Sequence, residues 1–220
     1  MVKKPVTQGK SLVWQKLLRS GGEAATADPD CDIDPDLKFR LRRKLKEINQ
    51  KYRSTLIYVT HDQNEAMTFA ENIIVMDQGN IVQAGTPSEL FDRPKTTFVG
   101  YFIGAPAMNL FACSAVNNTT ISFGGAEIVT DTNLEAVASK NLKLGIRSEY
   151  IKLATASAEN TVSAKVQRVE DLGNHKLVTA DFQGQSIKVK VKREQELPAE
   201  NVFLTIPAQH CCVYENEHLI

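Results

Sequence analysis

The spacing of apolar and polar positions changes near residue 105. Upstream of that point, helix-like and strand-like stretches alternate. Leu41, Leu45 and Ile48 recur at three- and four-residue intervals and predict an amphipathic helix from about Leu37 to Tyr52. The run Leu56-Ile57-Tyr58-Val59 predicts a strand reaching Thr60. Asp62, followed three positions later by Glu65, predicts a capping box opening a helix that continues to about Glu71. Ile73–Met76 and Asn80–Gln83 read as strands joined by a turn at Gln78-Gly79. Thr86-Pro87-Ser88-Glu89 supplies the N-cap, first-turn proline and third-position glutamate of a short helix.

Beyond Pro106 the apolar segments shorten and alternate: Thr119–Phe123, Leu142–Ile146, Thr161–Val169, Lys176–Phe182, Ser186–Val191 and Val202–Ile206. Such strands, separated by glycine and asparagine turns, predict a small barrel. The fold class is therefore α/β followed by all-β. Residues 1–30 have mixed charge and few periodic apolar positions and read as a disordered lead-in. The expected divisions are 1–30, 31–104 and 105–220.

Composition narrows the partners. The chain has 220 residues, 42% of them apolar, enough for an ordinary core in one or two domains. Lysine plus arginine equals aspartate plus glutamate at 26 each, which gives no electrostatic reason to expect nucleic acid or an anionic bilayer as partner. Arg40, Arg42, Arg43, Lys44 and Lys46 cluster on the first helix and are expected to form its solvated face. Cys31, Cys113, Cys211 and Cys212 lack both zinc-site spacing and the density of a disulfide framework, so no metal is expected and a reducing compartment fits. Cys211-Cys212 is expected to be buried in a terminal strand. No apolar run follows the first lysines, so no signal peptide is expected. The uncharged stretch from Thr96 to Ala126 is broken by Gly100, Gly104, Pro106 and Asn109, and no direct membrane insertion is expected.

The candidate chemistry centres on Thr60-His61-Asp62-Gln63-Asn64-Glu65-Ala66-Met67. His61 falls at the carboxyl end of a strand and the start of a helix, where open α/β sheets bind ligands and helix amino termini favour anions such as phosphate. Taken singly, a histidine there is more often a polar residue closing a strand; the Thr-His-Asp-Gln context turns the reading towards function.

The longer series of residues resembles ABC-transporter ATPases, specifically the carboxyl-terminal portion of the ATP-binding subunits of carbohydrate and glycerol importers, the family of the maltose-importer ATPase. Ile33-Asp34-Pro35-Asp36-Leu37-Lys38 resembles that family's D-loop, and the His61 segment resembles its switch-histidine region. Ile73–Leu90 and Phe98–Gly104 continue the likeness. Val169–Asn174, with the hairpin through Gln183-Gly184-Gln185, resembles the OB-like TOBE regulatory domain. Leu144-Gly145-Ile146-Arg147-Ser148-Glu149-Tyr150 resembles that domain's G-I-R-P-E-H sequence, with serine for proline and tyrosine for histidine.

The resemblance implies a partial RecA-like P-loop ATPase subdomain, a three-layer remnant, followed by an OB-fold/TOBE-like β-barrel. It implies that His61 senses the terminal phosphate of ATP and that Asp34 helps organise a composite site across an ATPase dimer, with Gln63 beside the histidine as a further candidate for the nucleotide; Asp34 serves equally as a helix N-terminal residue, and Gln63 as exposed helix. The intact family uses ATP and Mg, works with permease subunits, and sits in the cytoplasm, peripheral to the inner face of the membrane. Yet no G-x-x-x-x-G-K-[ST] sequence occurs in this chain. Ser20-Gly21-Gly22-Glu23 is followed by Ala24-Ala25 and does not continue as a signature motif, and Thr26–Asp32 lacks an apolar strand ending in a catalytic glutamate. Neither ATP nor Mg is thus expected to bind this chain alone, and hydrolysis needs a complementary ATPase half.

Two alternatives remain at this point: a non-enzymatic module whose barrel engages a small solute or a partner protein, and a gene remnant without activity. With the central strands absent, Leu56–Val59 is expected to be an exposed sheet edge, so self-association, as a dimer, is expected too.

Overall fold

The computed structural model describes residues 11–15, 25–27, 35–53, 55–137, 142–154, 156–197 and 200–220, with side chains described from residue 36 onward. The chain divides into two compact units, Met1–Asp92 and Arg93–Ile220.

In the first unit, β1 (Ser11–Gln15), β2 (Ala25–Ala27), β3 (Leu56–Thr60), β4 (Ile73–Asp77) and β5 (Asn80–Gly85) form a sheet ordered β2-β3-β1-β4-β5. Helices α1 (Pro35–Tyr52), α2 (Gln63–Phe69) and α3 (Pro87–Asp92) accompany it. Two expectations are corrected here. The stretch read as a disordered lead-in contributes two strands: β1 lies antiparallel between β3 and β4, with Val13 opposite both Val59 and Ile74, and β2 runs parallel to β3. Leu12-Val13-Trp14 is too short to show a period, but three apolar residues suffice for a strand that finds a partner on each side. β2 stops at Ala27, before Pro29 could interrupt the ladder. The second correction follows from the first. β3 has neighbours on both sides, so the open edge expected at Leu56–Val59 does not exist, and the sheet ends instead at β2 and β5.

Local signals fare well in β4, β5 and α3. Gln78 and Gly79 both take positive φ, 49° and 82°, the conformation a two-residue hairpin needs to match the twist of its strands. Thr86 and Glu89 form the full capping box: the Thr86 N–H donates to Glu89 Oε2 at 2.7 Å and the Glu89 N–H to Thr86 Oγ1 at 3.3 Å. Tyr58, Ala66, Ile73, Val75 and Leu90 are buried.

The faces of α1 are partly reversed relative to the sequence expectation. Leu37, Phe39, Leu41, Ile48 and Tyr52 are exposed and Arg42 turns inward with Asn49, but Leu45 is half-buried beside them and Arg40, Arg43, Lys44 and Lys46 stay solvated as expected. A carboxylate waits on that side, and a partly buried guanidinium is tolerated where one is at hand.

The second unit begins with α4 (Thr97–Phe102) and continues as β6 (Asn109–Ala115), β7 (Thr120–Phe123), β8 (Ala126–Val129), β9 (Leu142–Ile146), β10 (Lys152–Ala154), β11 (Thr161–Asp171), β12 (His175–Phe182), β13 (Gln185–Lys192), β14 (Asn201–Thr205), a 3-10 turn (Ala208–His210), β15 (Cys212–Glu215) and β16 (His218–Leu219). Two antiparallel sheets, ordered β16-β15-β9-β6-β7-β8 and β10-β14-β11-β12-β13, close around one core. Phe111, Phe123, Ile128 and Leu144 enter it from one sheet, and Val162, Val178, Ile187 and Leu204 from the other. Phe123 stacks on Phe111 at 5.1 Å and meets Phe182 edge-on at 5.3 Å. β6 lies near the middle of the larger sheet although its sequence, Asn-Leu-Phe-Ala-Cys-Ser-Ala, was not read as a strand; its inward positions are Asn109, Phe111 and Cys113, and a polar residue at the first of them hides the alternation.

That asparagine is buried for a reason. Asn109 Nδ2 donates to Lys188 O at 2.9 Å and to Ile146 O at 3.2 Å, while the Lys188 N–H donates to Asn109 Oδ1 at 2.8 Å. The side-chain amide thus substitutes for a strand residue and stitches β6 to β13. Asn109→Ala leaves the Lys188 backbone groups without these partners, and the expected loss is about 2 kcal/mol, readable as a lowered urea midpoint at unchanged slope.

Cys211 and Cys212 are buried, Cys212 within β15, as the sequence suggested, and with Cys113 they are free thiols. Burial pushes the Cys113 thiol up to about 11 and that of Cys211 to about 12. The β15–β16 turn is fastened by Glu217, whose carboxylate accepts from Lys143 Nζ and from Thr97 Oγ1. First the Lys143 contact and then that of Thr97 hold Glu217 below the usual carboxylate range. A depressed native pKa stabilises above the unfolded value and is lost as pH falls through the folded one. Acidification into and below the glutamate range should therefore weaken this fastening, and Glu217→Gln should flatten that part of a melting-temperature profile against pH. Among the described residues, no helix is long and apolar enough to cross a membrane.

Candidate functional site

β3 delivers Thr60 to its carboxyl end and α2 opens at Gln63, so His61 stands exposed in the turn between them. Asp62 caps the helix: its carboxylate accepts from the Asn64 N–H at 2.8 Å and the Glu65 N–H at 3.2 Å. The capping box expected here is only half formed. Glu65 does not reach back to Asp62; the Asp62 N–H donates instead to Thr60 Oγ1 at 3.0 Å. The amino terminus of α2 is also no anion site. The helix spans seven residues, ending at Phe69 rather than near Glu71, and the carboxylate of Asp62 already takes its first N–H groups.

Glu65 is committed inward. Its Oε2 accepts from Thr60 Oγ1 at 2.9 Å and Tyr58 Oη at 3.1 Å, while Oε1 pairs with Arg42 Nη1 at 2.6 Å. Its side chain is 10% exposed and that of Arg42 21%, so this is a partly buried pair whose carboxylate is satisfied on both oxygens. Burial, followed by the adjacent Glu65 carboxylate, pushes the Tyr58 phenol up to about 12. Because the neutral phenol is the form favoured in the native state, its contribution is complete below pH about 10 and is lost as pH rises from there through about 12. Phenolate absorbance in an alkaline titration should include one late tyrosine that Tyr58→Phe removes.

Gln63, half-buried, stands next to His61 in the first turn of α2. Asp34, the other residue assigned by resemblance, lies outside the described residues, as do Ser20–Glu23 and Cys31. Glu65 and Arg42 were missed as members of the site. Glu65 was visible only as a capping residue, and nothing in the spacing signals that Arg42, 23 positions away, pairs with it. As a nucleotide site the fit is partial: His61 and Gln63 offer polar contacts, but Asp62 and Glu65 are engaged within the protein, and no cluster of three or more metal-ligating side chains occurs among the described residues.

The second unit holds a polar cavity of about 340 Å³ lined by Arg93, Asp131, Thr132, Asn133 and Gln209, with Cys211 and Ile220. Near it, Tyr150, which replaces the histidine of the resembled sequence, stacks on His210 with ring centroids 3.8 Å apart.

Residues 144–213 match the TOBE domain family, so the second unit carries a TOBE-type, OB-like β domain. More of the chain is matched by sn-glycerol-3-phosphate import ATP-binding proteins: UgpC 2 of Agrobacterium fabrum is 34% identical over 83% of this chain and 49% of its own length, and UgpC of Salmonella typhimurium 34% identical over 86% and 54%. The chain thus resembles ABC importer ATP-binding subunits that carry a TOBE domain, and it spans about half the length of the curated relatives it matches. Among solved structures, the cytoplasmic molybdate-binding protein ModG with molybdate bound is similar at a TM-score of 0.41 and 20% identity, over 50% of this chain and 96% of that one.

Proposed function

We propose that this chain is the carboxyl-terminal part of the ATP-binding subunit of an ABC importer for a glycerol-like or carbohydrate solute. The single observation that carries the reading is the similarity, at about one-third identity over more than four-fifths of the chain, to sn-glycerol-3-phosphate import ATP-binding proteins. In this reading the first unit is the remnant of a RecA-like subdomain. His61 is the phosphate-sensing histidine, placed at a strand end where it can reach a bound group, and Gln63 and Asp34 are its neighbours at the nucleotide. The partners are permease subunits at the inner face of a membrane and either a complementary ATPase half or a second copy.

Phosphate-cradling residues are absent from the sequence, so the chain by itself holds at most the histidine contact. Titration with a fluorescent Mg-ATP analogue is expected to show no saturable binding by the chain alone, and binding once the amino-terminal half of a related importer subunit is added. Saturable binding by the isolated chain would remove the predicted dependence on another half. Absence of binding in the reconstituted pair would remove the ATP-binding reading. The polar cavity of the second unit supports one other role, a regulatory site for a small polar solute. A rise in melting temperature with glycerol 3-phosphate and no nucleotide would favour it.

A further inference from the structure

We propose that Glu65 is a positioning residue for His61 and that it couples the placement of α1 to the histidine turn. The inference rests on the reading of His61 as the phosphate sensor, but the coupling itself is a property of this chain. One carboxylate joins three pieces of structure. Through Oε1 it holds Arg42 of α1, and through Oε2 it holds Tyr58 and Thr60 of β3. The Thr60 hydroxyl passes the connection on by accepting the N–H of Asp62, the residue after His61. Each group is used by the next, so moving one removes a partner from another.

The ion pairs of α1 sharpen the point. Asp36–Arg40, Arg43–Glu47 and Lys44–Glu47 stay within the helix, whereas Arg42–Glu65 leaves it. α1 turns most of its apolar side chains to solvent, so the Arg42–Glu65 pair is one of the few links between it and the β3–α2 turn. α1 also begins at Pro35, directly after Asp34. Displacement of α1 is carried through Arg42 to Glu65 and Thr60, and so to the peptide beside His61. A histidine on a free turn would sense a phosphate and report to nothing; this one is wired to a helix.

The test uses the full chain, with the His61 imidazole resonances and the hydrogen exchange of the Asp62 amide as readouts. Arg42→Gln, on another element, is expected to shift the His61 ring signals and to speed exchange at Asp62 about tenfold while amides of β4 keep their rates. Arg42→Lys, which keeps the charge, should restore most of the change, and Arg43→Gln, which breaks a pair internal to α1, should cause none. If Arg42→Gln fails to fold, Tyr58→Phe, which removes one of the hydrogen bonds to Glu65, should move the same signals in the same direction. His61 and Asp62 signals unmoved by the folded variants, or exchange accelerated uniformly across the sheet, would overturn the coupling. The nucleotide titration is independent: reconstituted Mg-ATP binding with His61 uncoupled would sink this inference alone, and coupling without nucleotide binding would sink only the reading it rests on.

Discussion

Arg147→Ala is expected to lower the stability of the second unit by roughly 3–5 kcal/mol, the combined effect of an emptied volume and an orphaned carbonyl. Arg147 is 1% exposed and among the largest fully buried side chains. Its Nη1 donates to Gly100 O at 2.8 Å, in the last turn of α4, and to Ile103 O just beyond it. Burial draws its pKa down, yet an arginine remains charged at any working pH. Gly100 O retains the Met108 N–H at 3.3 Å, so Ile103 O bears most of the polar loss. Arg147→Met, which keeps bulk without donors, should cost less, about 1–3 kcal/mol. Urea unfolding followed by far-UV circular dichroism measures both. Equal midpoints for wild type and Arg147→Ala would refute the assignment of α4 to this anchor.

Gly145→Ala is the second large effect, expected at about 1–3 kcal/mol through overpacking. A Cβ on Gly145 would stand 2.7 Å from Tyr214 Cε2 and 2.8 Å from Met108 Sδ. The tyrosine does not yield easily, being fully buried with its hydroxyl donating to Pro94 O at 3.1 Å. Suppression by Met108→Ala, which opens the opposite wall, would identify crowding as the cause, since residues sharing one contact are energetically coupled. The two predictions together give a physical content to Gly145-Ile146-Arg147. The glycine admits the Tyr214 ring, the isoleucine enters the core, and the arginine fastens the preceding helix.

Much of this architecture was legible because its signals are local. The Gln78-Gly79 turn, the Thr86–Glu89 capping box, the Leu56–Thr60 strand and most strands beyond Pro106 follow from residues within a few positions of one another. What was not legible depends on distant partners. β1 and β2 carry too few apolar residues to declare themselves and exist through pairing with β3 and β4. The inward turn of Arg42 requires Glu65, and β6 was hidden because Asn109, at its first inward position, is polar and finds partners on β9 and, across the core, on β13. At the candidate site, His61 stood out by its strand-end context, whereas the carboxylate that braces its turn looked like an ordinary helix cap. At the second departure from G-I-R-P-E-H, Tyr150 stacks on His210, a partner that the local sequence does not signal.

β13 is the outermost strand of its sheet, and it faces outward with the Lys188 and Lys190 N–H groups. Asn109 occupies the first, together with the Lys188 carbonyl, and Ser148 O accepts from the second at 3.0 Å. A foreign β-segment approaching that border would find its docking template already taken by groups of the same molecule. The protein is thereby guarded against runaway strand-by-strand polymerisation on that flank, and a variant lacking the Asn109 amide should seed fibrils sooner than its loss of stability alone would account for.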